Sequence, residues 1–322
     1  MRRFLLKNML IKIQLCQTNM QELLLSKNGI AAVQVAQILL SVPVGEKIPT
    51  VLELSNKTSL ANGTVHHGLK TLTEIKAVKI VSKGHMGSYL VEKDYKKLLE
   101  ILGIKYLVGA MPLPYTKRYE GLASGLISSM ENGYDIPVNL SYMRGSKNRI
   151  SMVVYERYDF AITSKLAASQ YIKDHDDIRI LLDFGPYSYT SNHAIMFHNK
   201  NDKEIKDGMS IGVDRTSIDQ MALIKQECKN KKVKYVELEY SHIIEHVIKG
   251  DIDATIMNLD EVNDRHLNIN YVPIKNENLD NTTAVLVVKN VGNGGLLQKI
   301  IDPAAVLSIQ KQVLDGKIEP SY

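Results

Sequence analysis

From residue 104 to the C-terminus, short runs of apolar and β-branched residues alternate with stretches whose apolar residues recur every three or four positions. No other feature restricts the chain so much, because the two periods belong to strands and to helices lying on one another. The strand-like runs fall near 104–111, 138–143, 159–163, 178–184, 193–198, 210–213, 233–238, 253–257, 269–274 and 283–288. Amphipathic stretches near 116–131, 147–156, 164–173, 217–229, 241–249 and 295–315 lie between several of them. Strands separated by helices predict an α/β architecture. There is also a faint internal echo. Residues 150–164 and 243–258 each run as a helix, an Asp (Asp159, Asp253), a short apolar strand and a polar residue (Ser164, Asn258). Two similar α/β lobes would produce that echo, and so would ordinary helix-to-strand connections.

The front of the chain has a different character. A length of 322 residues suits two or three domains. Residues 1–100 carry fourteen Lys or Arg against seven Asp or Glu, a net of +7, while the remaining 222 carry a net of −2. A basic front on a near-neutral body is the footprint of a nucleic-acid module attached to something else, although surface lysines can also fall unevenly by chance. Apolar periodicity runs over about 4–26 and 30–41, the second stretch ending before Val42-Pro43-Val44-Gly45. From Pro49 to Ile80 a short helix, a turn and a second helix are predicted, and then two β-prone runs flank a basic, Gly-rich tip at Lys83 to Ser88. A short helix with Leu98, Leu99 and Ile101 closes this part at Gly103. The expected domains are a helical extension over 1–27, a winged helix-turn-helix (α+β) over 28–95, and a larger α/β domain over 104–322.

In a winged helix-turn-helix the second helix enters the major groove, so its first turn needs short polar residues. Here it reads Ala61-Asn62-Gly63-Thr64-Val65-His66-His67-Gly68-Leu69-Lys70. Val65, Leu69 and Leu72 share a face and would seat the helix on the core with Leu52 and Leu54, leaving Asn62, Thr64, His66 and Lys70 outward. Asn can read adenine bidentately, and Thr and Lys suit phosphates. His66 and His67 are adjacent on the helix and point about 100° apart, so they do not chelate a metal together.

The span Gly45–Leu90 resembles the DNA-binding domain of the GntR family of bacterial regulators. Gly45, Ile48-Pro49-Thr50, Glu53-Leu54, Gly63-Thr64-Val65 and Leu69 match its pattern, with no gap from Glu53 to Leu69. The family's usual arginines are replaced by Leu52, Asn62 and His66, which predicts an A·T-leaning operator or weak direct readout. The candidate DNA-binding set is Thr50, Asn62, Gly63, Thr64, His66 and Lys70, with Lys83 and His85 from the wing.

Residues 104–322 resemble a type 2 periplasmic-binding-protein domain, which implies two lobes hinged around a ligand. The stretches 108–115, 119–123, 143–150 and 157–161, followed by Ser164 to Ala168, are similar to the YhfZ-type family of regulators. Small polar residues follow several strands at helix starts, where α/β folds collect ligands and where free N–H groups favour anions. The candidate ligand-binding set is Tyr115, Arg144, Gly145, Ser146, Arg149, Ser164, Arg215, Thr216, Ser217 and Asn258, with Lys147, Tyr187 and Tyr189 nearby. Arg144, Arg149 and Arg215 suggest an anionic small-molecule effector. They could instead pair with acids such as Glu156 or Asp214.

Other classes find less support. Cys16 and Cys228 are too few and too far apart for a disulfide framework or a zinc motif. His193, His198, His242, His246 and Asp183 are available for chemistry, but Glu245 directly precedes His246, so the zincin order is absent. Nucleophile elbow, P-loop and dinucleotide fingerprint are absent as well. The expectation is a non-enzymatic, cytoplasmic regulator without cofactor, metal or membrane span, binding double-stranded DNA and a small-molecule effector as a homodimer. Leu5, Leu6, Met9, Leu10, Ile13 and Leu24 are candidates for a dimer helix.

Overall fold

The computed structural model describes residues 26–134, 136–275, 279–290 and 294–322. The expected extension and its dimer helix lie almost wholly outside the described residues. The chain divides into two compact units, one ending at Lys105 and the other spanning Tyr106–Tyr322.

The first unit is built from α1 (Lys27–Ser41), α2 (Val51–Thr58), α3 (Asn62–Glu74), β1 (Val78–Ser82), β2 (Ser88–Lys93) and α4 (Tyr95–Ile101). Local chemistry marks each boundary. Ser26 caps α1 by accepting from Gly29 N–H, and the Lys93 ammonium donates to the Leu40 and Val42 carbonyls at its far end. Thr50 and Glu53 form a reciprocal capping box at the start of α2, which ends at Ser59 in the left-handed region (φ 56°). Val35, Leu39, Leu54, Val65, Leu72, Leu90 and Leu98 form the core. Each such side chain contributes about 1.5–3 kcal/mol when fully buried. Helices α1 and α3 meet at Gly68, where a Cβ would come within 2.9 Å of the Ala31 carbonyl carbon, so nothing larger than hydrogen fits. Leu52 was expected in this core and lies instead 62% exposed on the outer side of α2. The two-turn α2 buries one stripe, and Leu54 occupies it.

The second unit consists of β3 (Leu107–Met111), α5 (Lys117–Tyr134), β4 (Val138–Tyr142), α6 (Ser146–Val154), β5 (Phe160–Ser164), α7 (Lys165–Ile172) and β6 (Ile178–Asp183). These are followed by β7 (His193–Phe197), β8 (Ser210–Val213), α8 (Ile218–Glu227), β9 (Lys234–Glu237), α9 (Tyr240–Lys249), β10 (Ala254–Asn258), α10 (Leu259–Asp264) and β11 (Asn270–Pro273). Then come β12 (Ala284–Lys289), α11 (Gly294–Ile300) and α12 (Pro303–Leu314). The strands form two sheets of the same plan, β4-β3-β5-β12-β6 and β9-β8-β10-β7-β11. In each, the inserted strand (β12 or β7) runs antiparallel to its neighbours and comes from the segment that crosses between sheets.

That repetition explains the echo in the sequence: β5 and β10 hold the same central position, and α6 and α9 precede them. The all-buried strands β5, β7 and β10 read as continuous apolar runs because both of their faces are covered. The crossing segments, described over 184–192, 274–275 and 279–283, are tied together by Tyr189 N–H donating to Thr282 O (2.8 Å), and Ala284 N–H at the start of β12 donates to Ser188 Oγ (2.8 Å). The expected single helix over 295–315 is two helices. Asp302 caps the second and Pro303 sits in its first turn, where a missing N–H costs nothing. Gly121 and Gly125 let α5 pack closely on α12, against Gln310 and Val306.

Candidate functional site

In the first unit α3 buries Val65, Gly68 and Leu72, which turns Asn62, Gly63, His66 and Lys70 to solvent and leaves Thr64 half-buried. Ala61 precedes the helix and offers no side-chain cap, so among the described residues the first turn of α3 starts without a capping side-chain acceptor. Such an end attracts phosphate oxygens. Lys70 faces Glu74 at 3.7 Å, both well exposed. The wing tip is one 3-10 turn, Gly84–Met86, carrying an exposed His85. Lys83 lies over the Tyr89 ring at 4.4 Å, an arrangement that steadies its ammonium at the hairpin edge. Thr50 fits a phosphate contact least. Its hydroxyl accepts from Glu53 N–H (3.3 Å) and donates to Glu53 Oε2 (3.0 Å), while its N–H donates to the same carboxylate (2.7 Å) and holds it below the usual carboxylate range.

In the second unit a small cavity of about 60 Å³ opens where the carboxyl ends of β3, β4, β8 and β10 converge. Seven residues expected there line it: Tyr115, Arg144, Gly145, Ser146, Arg149, Ser217 and Asn258. Three do not. Ser164 caps α7 and donates to Asp219, standing one residue behind the lining. Arg215 is 66% exposed and paired with Glu237 at 2.8 Å. Thr216 folds back onto Asp214 Oδ1 with both its N–H and its hydroxyl. Tyr187 points outward, half of it exposed, whereas Tyr189 is buried and lines the cavity.

The arginines that suggested an anion are occupied. Arg144 pairs with Glu239 (2.8 Å) and Asp214 (3.7 Å) from the opposite lobe. Arg149, 4% exposed, donates to the Met143 carbonyl (2.9 Å), the Ile162 carbonyl (3.0 Å) and the Tyr189 hydroxyl (2.9 Å). The rival expectation, that arginines meet neighbouring acids, therefore describes Arg144 and Arg215, while Glu156 pairs with Lys289. Further contacts cross the cleft: Ile218 N–H donates to Ser146 Oγ (3.0 Å), and Arg118 pairs with Asp260 (2.9 Å). At Gly145 (φ 77°) a Cβ would lie 2.3 Å from Thr216 Oγ1, so glycine is required both by conformation and by the closeness of the lobes.

Residue type alone did not single out Asp219, Gln220, Tyr119, Tyr240 and Glu261, which also line the cavity. Tyr119 and Tyr189 pack with ring centroids 5.1 Å apart, and Tyr115 stacks on Tyr240 at 6.1 Å. Burial pushes up the carboxyls of Asp219 and Glu261, opposed by Ser164 and Arg149 in one case and by Arg265 in the other. Burial pushes His193 down to about 4, the nearby Asp260 acting weakly the other way. Position could have signalled Glu261 and Asp219, each in the first turn of a helix after a strand. The remaining candidates for catalysis are scattered: His198 contacts Val247 O, His246 pairs with Asp251, and Asp183 pairs with Lys165.

The family model described as the YhfZ C-terminal domain matches residues 94–322, and one described as a helix-turn-helix domain matches residues 43–90. The chain belongs to the YhfZ family. It is 33% identical to the uncharacterized protein YhfZ of Escherichia coli (strain K12) over 308 residues, 94% of this chain and 100% of that one. The crystal structure of YhfZ from Shigella flexneri matches with a TM-score of 0.59 at 33% identity, covering 71% of this chain and 98% of that chain. A periplasmic substrate-binding protein of an ABC transporter from Coxiella burnetii matches at a TM-score of 0.45 and 16% identity, covering 67% of this chain and 100% of the other. Among the described residues no helix is long and apolar enough to cross a membrane.

Proposed function

We propose that this YhfZ-family protein is a ligand-responsive, DNA-binding transcription regulator. Its α3 face and wing bind double-stranded operator DNA, and its cleft binds a small-molecule effector. The observation that carries the reading is the pairing, in one chain, of a helix-turn-helix domain with a two-lobed domain whose cavity lies between like sheets. Two-lobed folds of this kind respond to ligands by hinge motion about their crossing segments, whose described residues here are 184–192, 274–275 and 279–283. The GntR-like spacing of Gly45 to Leu69 supports DNA as the partner of α3. The protein acts in the cytoplasm, where its operator is, and as a homodimer, because two recognition helices match two half-sites. Its role in this reading is that of a sensor, and three of the side chains available for chemistry, His198, His246 and Asp183, each contact a different partner away from the cavity.

A gel shift with the full chain and the upstream region of its own operon at low salt tests this. Retardation that weakens on raising salt is the expected result. Absence of any retardation refutes the regulator reading.

A further inference from the structure

The cleft's charges point to a class of ligand. Three carboxylates (Asp214, Asp219, Glu261) and four tyrosines (Tyr115, Tyr119, Tyr189, Tyr240) line the cavity, and no lysine does among the described residues. Both lining cations are occupied, Arg144 by two carboxylates and Arg149 by two carbonyls and a phenol. Asp214 is held by Thr216 and by Tyr240 N–H, and Asp219 by Ser164.

Two groups stand apart. Glu261, 3% exposed, uses Oε1 for Arg265 at 2.8 Å, but its Oε2 is buried with no partner. Asn258, also 3% exposed, uses Oδ1 for Thr190 and Asp260 N–H, and its Nδ2 is buried with no partner. A buried carboxylate oxygen and a buried amide N–H without partners are costly, and both residues face the same cavity three positions apart. A ligand that satisfies both donates to Glu261 and accepts from Asn258. Tyr115 and Tyr240, stacked on one another, line the same cavity as Glu261, and their phenols lie close enough to feel its charge; aromatic rings beside a carboxylate suit a cation.

We infer that the effector is a small organic cation, a protonated amine that also carries an oxygen acceptor, with its ammonium on Glu261 Oε2 beside Tyr115 and Tyr240 and its oxygen on Asn258 Nδ2. This rests on the reading of the cleft as an effector site, and it reverses the anion suggested by the arginines in the sequence.

The test is thermal shift followed by calorimetry on the full chain. The probes are ethanolamine, glycine, L-serine, L-lysine and putrescine, each set beside its deaminated counterpart, together with inorganic phosphate. At least one oxygen-bearing amine is expected to raise the melting temperature while its counterpart does not. Glu261→Gln is expected to weaken that amine about 10- to 100-fold. Tyr115→Leu, at a half-buried position, is expected to weaken it about two- to fivefold. The inference is overturned if no amine binds, if counterpart or phosphate binds as well as the amine, or if Glu261→Gln binds the amine unchanged. Stabilisation by an anion or a neutral polyol that also alters operator retention would sink the amine while leaving the effector reading intact. Amine binding that never alters operator retention would do the reverse.

Discussion

The outward face of α3 and the cavity of the second unit draw on similar residues, a few cations, short polar side chains and an asparagine, yet they leave those residues in opposite conditions. On α3, Asn62, His66 and Lys70 stand in solvent, with one loose ion pair to Glu74 among them. In the cavity, Arg144, Arg149, Ser146 and Asp214 are each bound to named partners, and among the described residues the buried lining side-chain atoms without one are Glu261 Oε2 and Asn258 Nδ2. An exposed face keeps its polar groups available because water satisfies them until a partner arrives. A buried one must satisfy nearly every group internally, so what remains unpaired carries the information about the ligand.

The largest effect is expected at Arg149. Replacing it by Leu removes three charge-assisted bonds, leaves two carbonyls and the Tyr189 hydroxyl without their donor, and takes a nearby positive charge away from Asp219. Arg149→Leu is expected to cost about 3–5 kcal/mol in urea unfolding of the full chain. A loss below about 1 kcal/mol would mean that the guanidinium is free for ligand after all.

His193 comes next. Asn281 Nδ2 lies 3.2 Å from its Nδ1, a pairing that suits the neutral ring, and burial holds the ring's titration down to about 4. Between the ordinary value near 6.5 and 4, the unfolded chain binds a proton that the folded chain refuses, so stability present above pH 6.5 is lost as pH falls toward 4. The full loss is about 3 kcal/mol. His193→Gln should flatten the fall in melting temperature across that window, and Asp219 and Glu261, whose raised carboxyls act in the opposite direction, remain common to both proteins. An equally steep fall in the variant would rule out His193 as its source.

On the exposed face the effects move to DNA and away from folding. Asn62→Ala is expected to weaken operator binding by about 1–3 kcal/mol, mainly at one base position, with little change in stability. Lys70→Ala should lower affinity on all sequences alike and reduce the slope of log affinity against log salt by about 1. Uniform weakening by Asn62→Ala would make it a phosphate contact.

The fold was readable in advance wherever periodicity and burial agree. The ten strand-like runs each overlap a strand, and the repeated plan of the two sheets was faintly visible in residues 150–164 and 243–258. The break at Asp302-Pro303 was missed because apolar spacing runs through it, although the capping Asp and the Pro that follows were the signal. Leu52 was misplaced because a two-turn helix has room for one buried stripe. In the cleft, loops after strands located the cavity, but residue type failed for Arg215 and Thr216. Arg215 meets Glu237 at the end of the neighbouring strand β9, and Thr216 turns back onto Asp214 two residues before it, so both spend their polar groups within their own lobe, which residue type does not reveal. Glu261 and Asp219 look like ordinary helix-start acids until burial removes their solvent.

The smallest expected effect separates the two conditions at one residue. Thr50 sits where a helix-turn-helix commonly meets the DNA backbone, yet its hydroxyl and N–H are both engaged by Glu53. Thr50→Ala removes the cap from α2 and is expected to cost about 0.5–2 kcal/mol of stability, readable as a lowered melting temperature. Thr50→Ser keeps a hydroxyl on the same bonds and should restore nearly all of it. If capping is the residue's whole role, both variants retain wild-type operator affinity at temperatures where they are folded. Should Thr50→Ala bind DNA several-fold more weakly while Thr50→Ser does not, the hydroxyl exchanges Glu53 for a phosphate on binding. Thr50 would then belong with Asn62 and Lys70 on the side of the molecule whose polar groups wait for a partner.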